Sequence, residues 1–158
     1  MWQCAVCHAL HDEKKSSFEC GLCHSVLCKK CTVPHSQESL EYMPTIPDEL
    51  KHAAYCGPCF NSTVAPALEN YEELLSKARE VCVFDKSKKN PPVQSISKHK
   101  LSVSNCVDED DALMRLAFLA ASSGFDALVK VELSWERVDL SGYQTSRWHG
   151  IGLAARMR

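Results

Sequence analysis

The sequence predicts an α+β chain in two parts: a small metal-stabilised module, then a connecting helix and a compact α/β domain. Three observations carry this. Eight of the ten cysteines fall before residue 60, in four Cys-x-x-Cys pairs. Residues 85–97 have the Pro, Ser and Lys content of a linker. Beyond them, apolar residues recur first with a period of two, then with a helical period, then with a period of two again.

The 158 residues are 45% hydrophobic and 24% charged, the balance of a globular chain rather than a disordered one. No apolar run is long enough to span a bilayer, and no basic stretch with an apolar core precedes Cys4, so a cytoplasmic protein is expected. The formal charge of −2 gives no general affinity for phosphate backbones.

The pairs are Cys4/Cys7, Cys20/Cys23, Cys28/Cys31 and Cys56/Cys59. In a reducing compartment such pairs point to metal rather than to disulfides. Two residues between cysteines put both sulfurs on one tight turn, separated by about the edge of a zinc tetrahedron. Four pairs therefore supply two Cys4 sites for two Zn2+ ions. The gaps between pairs are 12, 4 and 24 residues. The four-residue gap places the second and third pairs awkwardly for one shared ion. It favours a cross-brace, with Cys4, Cys7, Cys28 and Cys31 on one ion and Cys20, Cys23, Cys56 and Cys59 on the other. Spacing alone leaves sequential sites open. Residues 1–62 hold few large apolar side chains, so metal binding, at about 10–16 kcal/mol per structural site, is expected to be linked to folding.

The run Cys20-Gly-Leu-Cys-His-Ser-Val-Leu-Cys-Lys-Lys-Cys31, with Tyr55-Cys-Gly-Pro-Cys-Phe60 leading into a helix, resembles the FYVE-type zinc finger. That resemblance covers residues 1–62 and implies a treble-clef, cross-brace fold with the ligand pairing above. It also implies recognition of phosphatidylinositol 3-phosphate through arginines and histidines around the third cysteine and an arginine before the seventh. This chain departs from both. Ser16, Ser17, Phe18 and Glu19 precede Cys20, Gly21 follows it, and Tyr55 stands where the later arginine is expected. Residues 1–62 contain no arginine, and five lysines face seven acids. With two tetrathiolate zinc ions the module carries about −6. Phosphate capture by arginine is lost, and anionic membranes are disfavoured, the lysine pairs being their main support.

A RING-like ubiquitin ligase shares the cross-brace but usually spaces its fourth and fifth ligands by two residues, with a histidine in the middle. The gap here is four, and Cys23 already completes the pattern beside His24. Cys56-Gly-Pro-Cys59 reads like a thioredoxin-type redox motif, yet no parallel βαβ pattern surrounds it, and its removal would leave the second ion with two ligands. Nucleic-acid binding is disfavoured by the acidic balance. His8, His11, His35 and His52 are surplus to eight sufficient ligands. Cys82 and Cys106 read as small buried hydrophobes.

Residues 63–84 form the connecting helix, with Pro66 in its first turn and Leu68, Tyr71, Leu75, Ala78 and Cys82 as its apolar stripe. The linker 85–97 follows, and residues 98–158 form the α/β domain. His99 to Asn105 alternate as a first strand. Asp108 to Asp111 place negative charge at a helix start, and the helix runs from Ala112 to Ser123 with Leu113, Leu116, Ala117 and Ala120 buried and Gly124 as cap. Ala127, Val129, Val131, Leu133 and Trp135 mark one face of a strand. Asp139 to Gly142 make a turn, and residues 143–157 return antiparallel.

The helix Ala112–Ser123, the run Gly124-Phe-Asp-Ala-Leu-Val-Lys-Val131 and the closing Gly150-Ile-Gly-Leu-Ala154 resemble, more loosely, a family of small bacterial α/β proteins labelled as heavy-metal binding. That resemblance implies homo-oligomers. Its metal label has only His99, Cys106 and His149 to rest on. No phosphate-cradling glycine loop, nucleophile elbow or histidine–carboxylate spacing is present, so no enzyme is expected. The functional expectation is a non-enzymatic adaptor for a protein partner, with a phosphoinositide-recruitment domain as the principal rival.

Overall fold

The computed structural model describes residues 1–158 and divides into two compact units, Met1–Tyr71 and Glu72–Arg158. The first unit opens with one small device used twice. Strands β1 (Trp2–Gln3) and β2 (Leu10–His11) pair antiparallel around the Cys4–Cys7 turn. Strands β3 (Phe18–Glu19) and β4 (Val26–Leu27) pair in the same way around Cys20–Cys23. Of their eight residues only Leu27 is buried, so these hairpins depend largely on what their turns hold.

Strand β5 (Thr32–Pro34) pairs with β6 (Ala54–Cys56), and the excursion between them contains two single turns of 3-10 helix, Gln37–Leu40 and Asp48–Leu50. Ser36 caps the first, its Oγ accepting from the Glu38 N–H at 3.3 Å. Leu40 and Leu50 are the buried residues of the two turns. Tyr55 is fully buried, with His35, His52 and Phe60 edge-on to its ring, its hydroxyl donating to the Glu49 carbonyl at 2.6 Å and accepting from the His52 N–H at 3.2 Å. A buried phenol finds its polar partners on the loop it fastens.

After β6 the chain enters a helical turn, α1 (Gly57–Cys59), passes through a π-helical turn (Phe60–Val64) and continues as α2 (Ala65–Arg79). Val64, Tyr71, Leu75 and Ala78 are buried at the seven-, four- and three-residue steps of one helix face. The helix ends at Arg79, five residues before the expected end. Cys82–Asp85 is instead a strand, β7, and Cys82 is exposed rather than buried.

In the second unit β7, β8 (Val93–Cys106), β9 (Ala127–Leu140) and β10 (Tyr143–Met157) form one sheet in the order β7-β9-β10-β8. β7 runs parallel to β9, and the other neighbours are antiparallel. Strand β8 begins at Val93, so the last five residues of the expected linker belong to the sheet. The tip between β9 and β10 is the two-residue Ser141–Gly142, with φ of 47° and 93°, the left-handed pair of a tight hairpin turn.

Helix α3 (Glu109–Ser122) lies against β8, β9 and β10. Asp108 caps it by accepting from the Asp111 N–H at 2.7 Å, and three acids occupy its first turn. It closes with Gly124 at φ 81° and bonds from the Gly124 N–H to the Ala121 carbonyl and the Phe125 N–H to the Ala120 carbonyl, a Schellman end. Ala112, Leu116, Ala117, Phe118, Ala120 and Ala121 are its buried residues, whereas Leu113 is half-exposed. Gly150 allows the close approach. A Cβ there would lie 2.9 Å from Leu116 Cδ1 and 3.0 Å from Leu133 Cδ2. Elsewhere in the sheet, Ala127, Val129 and Ala155 are buried beneath Phe84, Val93, Leu153 and Met157. The expected alternation of β9 breaks at Lys130, a bulge residue at φ 53°, where Lys130 and Val131 face the single Gly152. No helix is long and apolar enough to cross a membrane.

Candidate metal centres

Each two-stranded hairpin presents its cysteines through the same backbone knuckle. In the first, the Cys4 N–H donates to the Ala9 carbonyl and the His8 N–H to the Cys4 carbonyl, both at 3.0 Å. In the second, the Cys20 N–H donates to the Ser25 carbonyl and the His24 N–H to the Cys20 carbonyl, again at 3.0 Å. The reversal puts His8 at φ 60° and His24 at φ 61°. This left-handed position is one that glycine takes without strain.

The other two pairs sit on tighter turns. The Cys31 N–H donates to the Cys28 carbonyl at 3.1 Å. Cys56 caps α1, its Sγ accepting from the Cys59 N–H at 3.4 Å. Pro58 has no N–H to give, and the Cys59 amide serves the sulfur instead. The structure brings the first pair to the third and the second to the fourth. Cys4, Cys7, Cys28 and Cys31 have all their sulfurs within 4.8 Å of one another, and so do Cys20, Cys23, Cys56 and Cys59. In each cluster one close cross-pair, Cys7–Cys28 or Cys23–Cys56, stands at 3.8 Å. A tetrahedral ion with metal–sulfur bonds of about 2.3 Å has sulfur–sulfur edges of about 3.8 Å. Both clusters fit a zinc-sized ion with four thiolate ligands and no open position.

Their electrostatics also call for a cation. At Cys4 burial opposes ionisation, but the N–H groups of Cys7, Cys28 and Val6 outweigh it and bring the thiol down to about 6. Cys20 follows suit, burial being outweighed by the N–H groups of Cys23, Cys56 and Leu22, and is also lowered to about 6. Cys23 is lowered by the Ser25 hydroxyl and N–H. The partners pay the opposite way. Cys31 is pushed up to about 12 by burial and by its neighbouring thiols, and Cys59 to about 12 by Cys56 and then by burial. Four sulfurs this close ionise together only when a positive ion sits among them.

The spare histidines lie elsewhere. His24 Nδ1 donates to Glu19 at 2.6 Å, and His35 Nε2 to the Leu50 carbonyl at 3.1 Å. His11 stacks on Trp2 at 4.6 Å. His52 covers Gly21 so closely that a Cβ there would lie 2.1 Å from its ring. The positions that the FYVE resemblance associates with phosphate have other partners here: Glu19 pairs with His24 at the surface, Gly21 lies under His52, and Tyr55 donates to the Glu49 carbonyl. In the second unit Cys106 is buried, and His149 is held by the Asn105 N–H at 3.4 Å and Glu136 at 3.0 Å. His99, Cys106 and His149 do not converge into a further ligand cluster. Sequence reasoning passed over the Trp2–His11 stack, because two aromatic residues nine apart give no periodic signal. Compared with family models, with curated proteins and with solved structures, the chain matches none of them.

Proposed function

We propose that the two cysteine clusters hold two structural zinc ions and that the chain is a non-enzymatic adaptor. In this reading the FYVE-like, treble-clef module presents a surface to a protein partner in the cytoplasm, and the C-terminal domain assembles or positions it. The carrying observation is the closed four-sulfur geometry. A tetrathiolate ion has no vacant position for a substrate or water, and it serves folding rather than Lewis-acid chemistry. The ions would supply the stability that a core of Leu27, Leu40, Leu50, Tyr55 and Val64 alone is too small to give. Cys56 and Cys59 both belong to a cluster, which speaks against a free redox pair. Membrane recruitment is less well supported, since His52 occupies the space beside Gly21 and Glu19 stands where a basic residue would face a phosphate.

Intact-mass measurement of the co-purified protein, with its metal content, tests both halves of the proposal. Two zinc ions per chain together with a stoichiometric protein partner are expected. A metal-free folded module would overturn the zinc assignment. Salt-sensitive sedimentation with anionic vesicles, lost on replacing Lys14, Lys15, Lys29 and Lys30, would replace the adaptor with a membrane-recruitment domain.

A further inference from the structure

We infer that a lysine-lined groove on the zinc module is the docking site for an acidic linear segment of the partner protein. This rests on the adaptor reading above and names the surface and the partner chemistry it would use. The groove has a volume of about 740 Å3. Lys14, Lys15, Lys29 and Lys30 line it together with the apolar rings of Trp2 and Phe18.

Both lysine pairs are built on fixed turns. The Asp12 carboxylate accepts from the Lys14 N–H at 3.2 Å, and the Asp12 carbonyl from the Lys15 N–H at 2.9 Å. Lys29 and Lys30 lie between Cys28 and Cys31, so the first metal cluster clamps them. None of the four ammonium groups has an ion-pair partner, although Lys51 pairs with Asp48 and Lys86 with Glu132. Two nearby acids have partners, Glu13 the chain amino terminus and Glu19 His24, while the Asp12 carboxylate accepts only from the Lys14 N–H. Four lysines without ion-pair partners are thus gathered on one groove of a module whose overall charge is negative, and Cys7 and Cys28, two thiolates of the first metal cluster, line the same groove.

That contrast selects the ligand. An extended chain with alternating carboxylates and apolar side chains enters the groove, sets its charges between the lysine pairs and lays its apolar residues on Trp2 and Phe18. The module's charge of about −6 opposes any anion at long range, so the local difference decides: a planar anionic bilayer also has to approach Asp12 and Glu13, next in sequence to Lys14, whereas an extended chain follows the lysines alone. Lysine, a point charge, suits carboxylates without the paired geometry that arginine brings to phosphate. Trp2 supplies a reporter as well. Trp2 Nε1 and His11 Nε2 are hidden and have no hydrogen-bond partner, so a bound main chain that parts the stack gains two polar contacts and changes the environment of the indole.

The test uses the full zinc-loaded chain carrying Trp135→Phe and Trp148→Phe, which leaves Trp2 as its single indole. The probes are a pool of short synthetic peptides alternating Asp or Glu with Leu or Phe, and the same pool with Asn and Gln in place of the acids. The acidic pool is expected to change Trp2 fluorescence and the neutral pool to leave it unchanged. K14Q/K15Q/K29Q/K30Q, with its zinc content intact, is expected to weaken the response about tenfold, and K88Q/K89Q to leave it unaltered. Equal responses to the two pools, or none to the acidic one, would overturn the inference. So would lysine-dependent binding to phosphatidylserine vesicles without binding to the acidic pool. A co-purified partner that stays on the quadruple lysine variant but leaves on zinc removal would overturn the groove alone and leave the adaptor standing.

Discussion

Replacing His8 with glycine is expected to tighten zinc binding, and replacing His24 with glycine to do so less. The two residues occupy equivalent places in the two knuckles, at φ 60° and 61°, each donating its N–H to the first cysteine's carbonyl at 3.0 Å. A side chain in that left-handed region costs about 1 kcal/mol, net of the freedom glycine gains when unfolded. Neither substitution touches a ligand or a backbone hydrogen bond. The difference lies in one contact, because His24 pairs with Glu19 at 2.6 Å. Both side chains of that pair are largely exposed, so its loss costs about 0–1 kcal/mol and cancels part of the gain. Where folding and metal binding are one event, 1 kcal/mol of backbone relief appears as about a fivefold rise in zinc affinity. Competition against a colorimetric chelator at fixed pH reads this directly. Weaker zinc binding by His8→Gly, or a larger gain for His24→Gly than for His8→Gly, would refute the view that the knuckles are strained equally and differ only in the Glu19 contact.

Zinc removal by a strong chelator is expected to abolish amide protection in residues 1–62 while β9 and β10 keep theirs, as hydrogen exchange with mass detection will show. Protection of β3 and β4 surviving in the stripped protein would contradict a structural role for the metal. Cys28→Ser should lower the zinc content from two ions to one, and cadmium-113 spectra of the remaining site should show couplings only to Cys20, Cys23, Cys56 and Cys59. Couplings from Cys4 or Cys7 to that ion would reverse the cross-brace. Gly150→Ala should destabilise the second unit by about 1–3 kcal/mol in urea unfolding, because its Cβ would press on Leu116 and Leu133. A loss that is not reduced by pairing it with Leu116→Ala would place the cause elsewhere.

The clusters were legible because ligand chemistry is local. A Cys-x-x-Cys turn carries its own geometry, and the four-residue gap between Cys23 and Cys28 already favoured the exchange of partners that the sulfur positions show. Helix α3 was legible for a similar reason, its acidic start and glycine end lying within a few residues of the backbone groups they satisfy. Strand β7 was not, since its four residues are recognised only through pairing with β9. The start of β8 was hidden by composition. An edge strand with many exposed residues and two preceding prolines reads as linker until β10 supplies its hydrogen bonds. The bulge at Lys130 escaped notice because nothing in the side chain announces a positive φ.

The residues that stand where the FYVE resemblance would place basic ones make structural sense as a set. Glycine at position 21 is what lets the His52 ring lie over the second knuckle, and the His52 N–H in turn donates to Tyr55, whose hydroxyl holds Glu49. Placing an arginine at position 21 would therefore displace His52 and loosen the loop that Tyr55 fastens, before any phosphate was met. The same stretch adds Glu19, which is drawn to His24 and leaves negative charge beside that surface. The lysine pairs lie at the Asp12 turn and inside the Cys28–Cys31 turn, beside Trp2 rather than beside Gly21. Four of the five lysines in residues 1–62 thus line a different pocket from the one beside Gly21, and the binding role proposed for this module is tested there first.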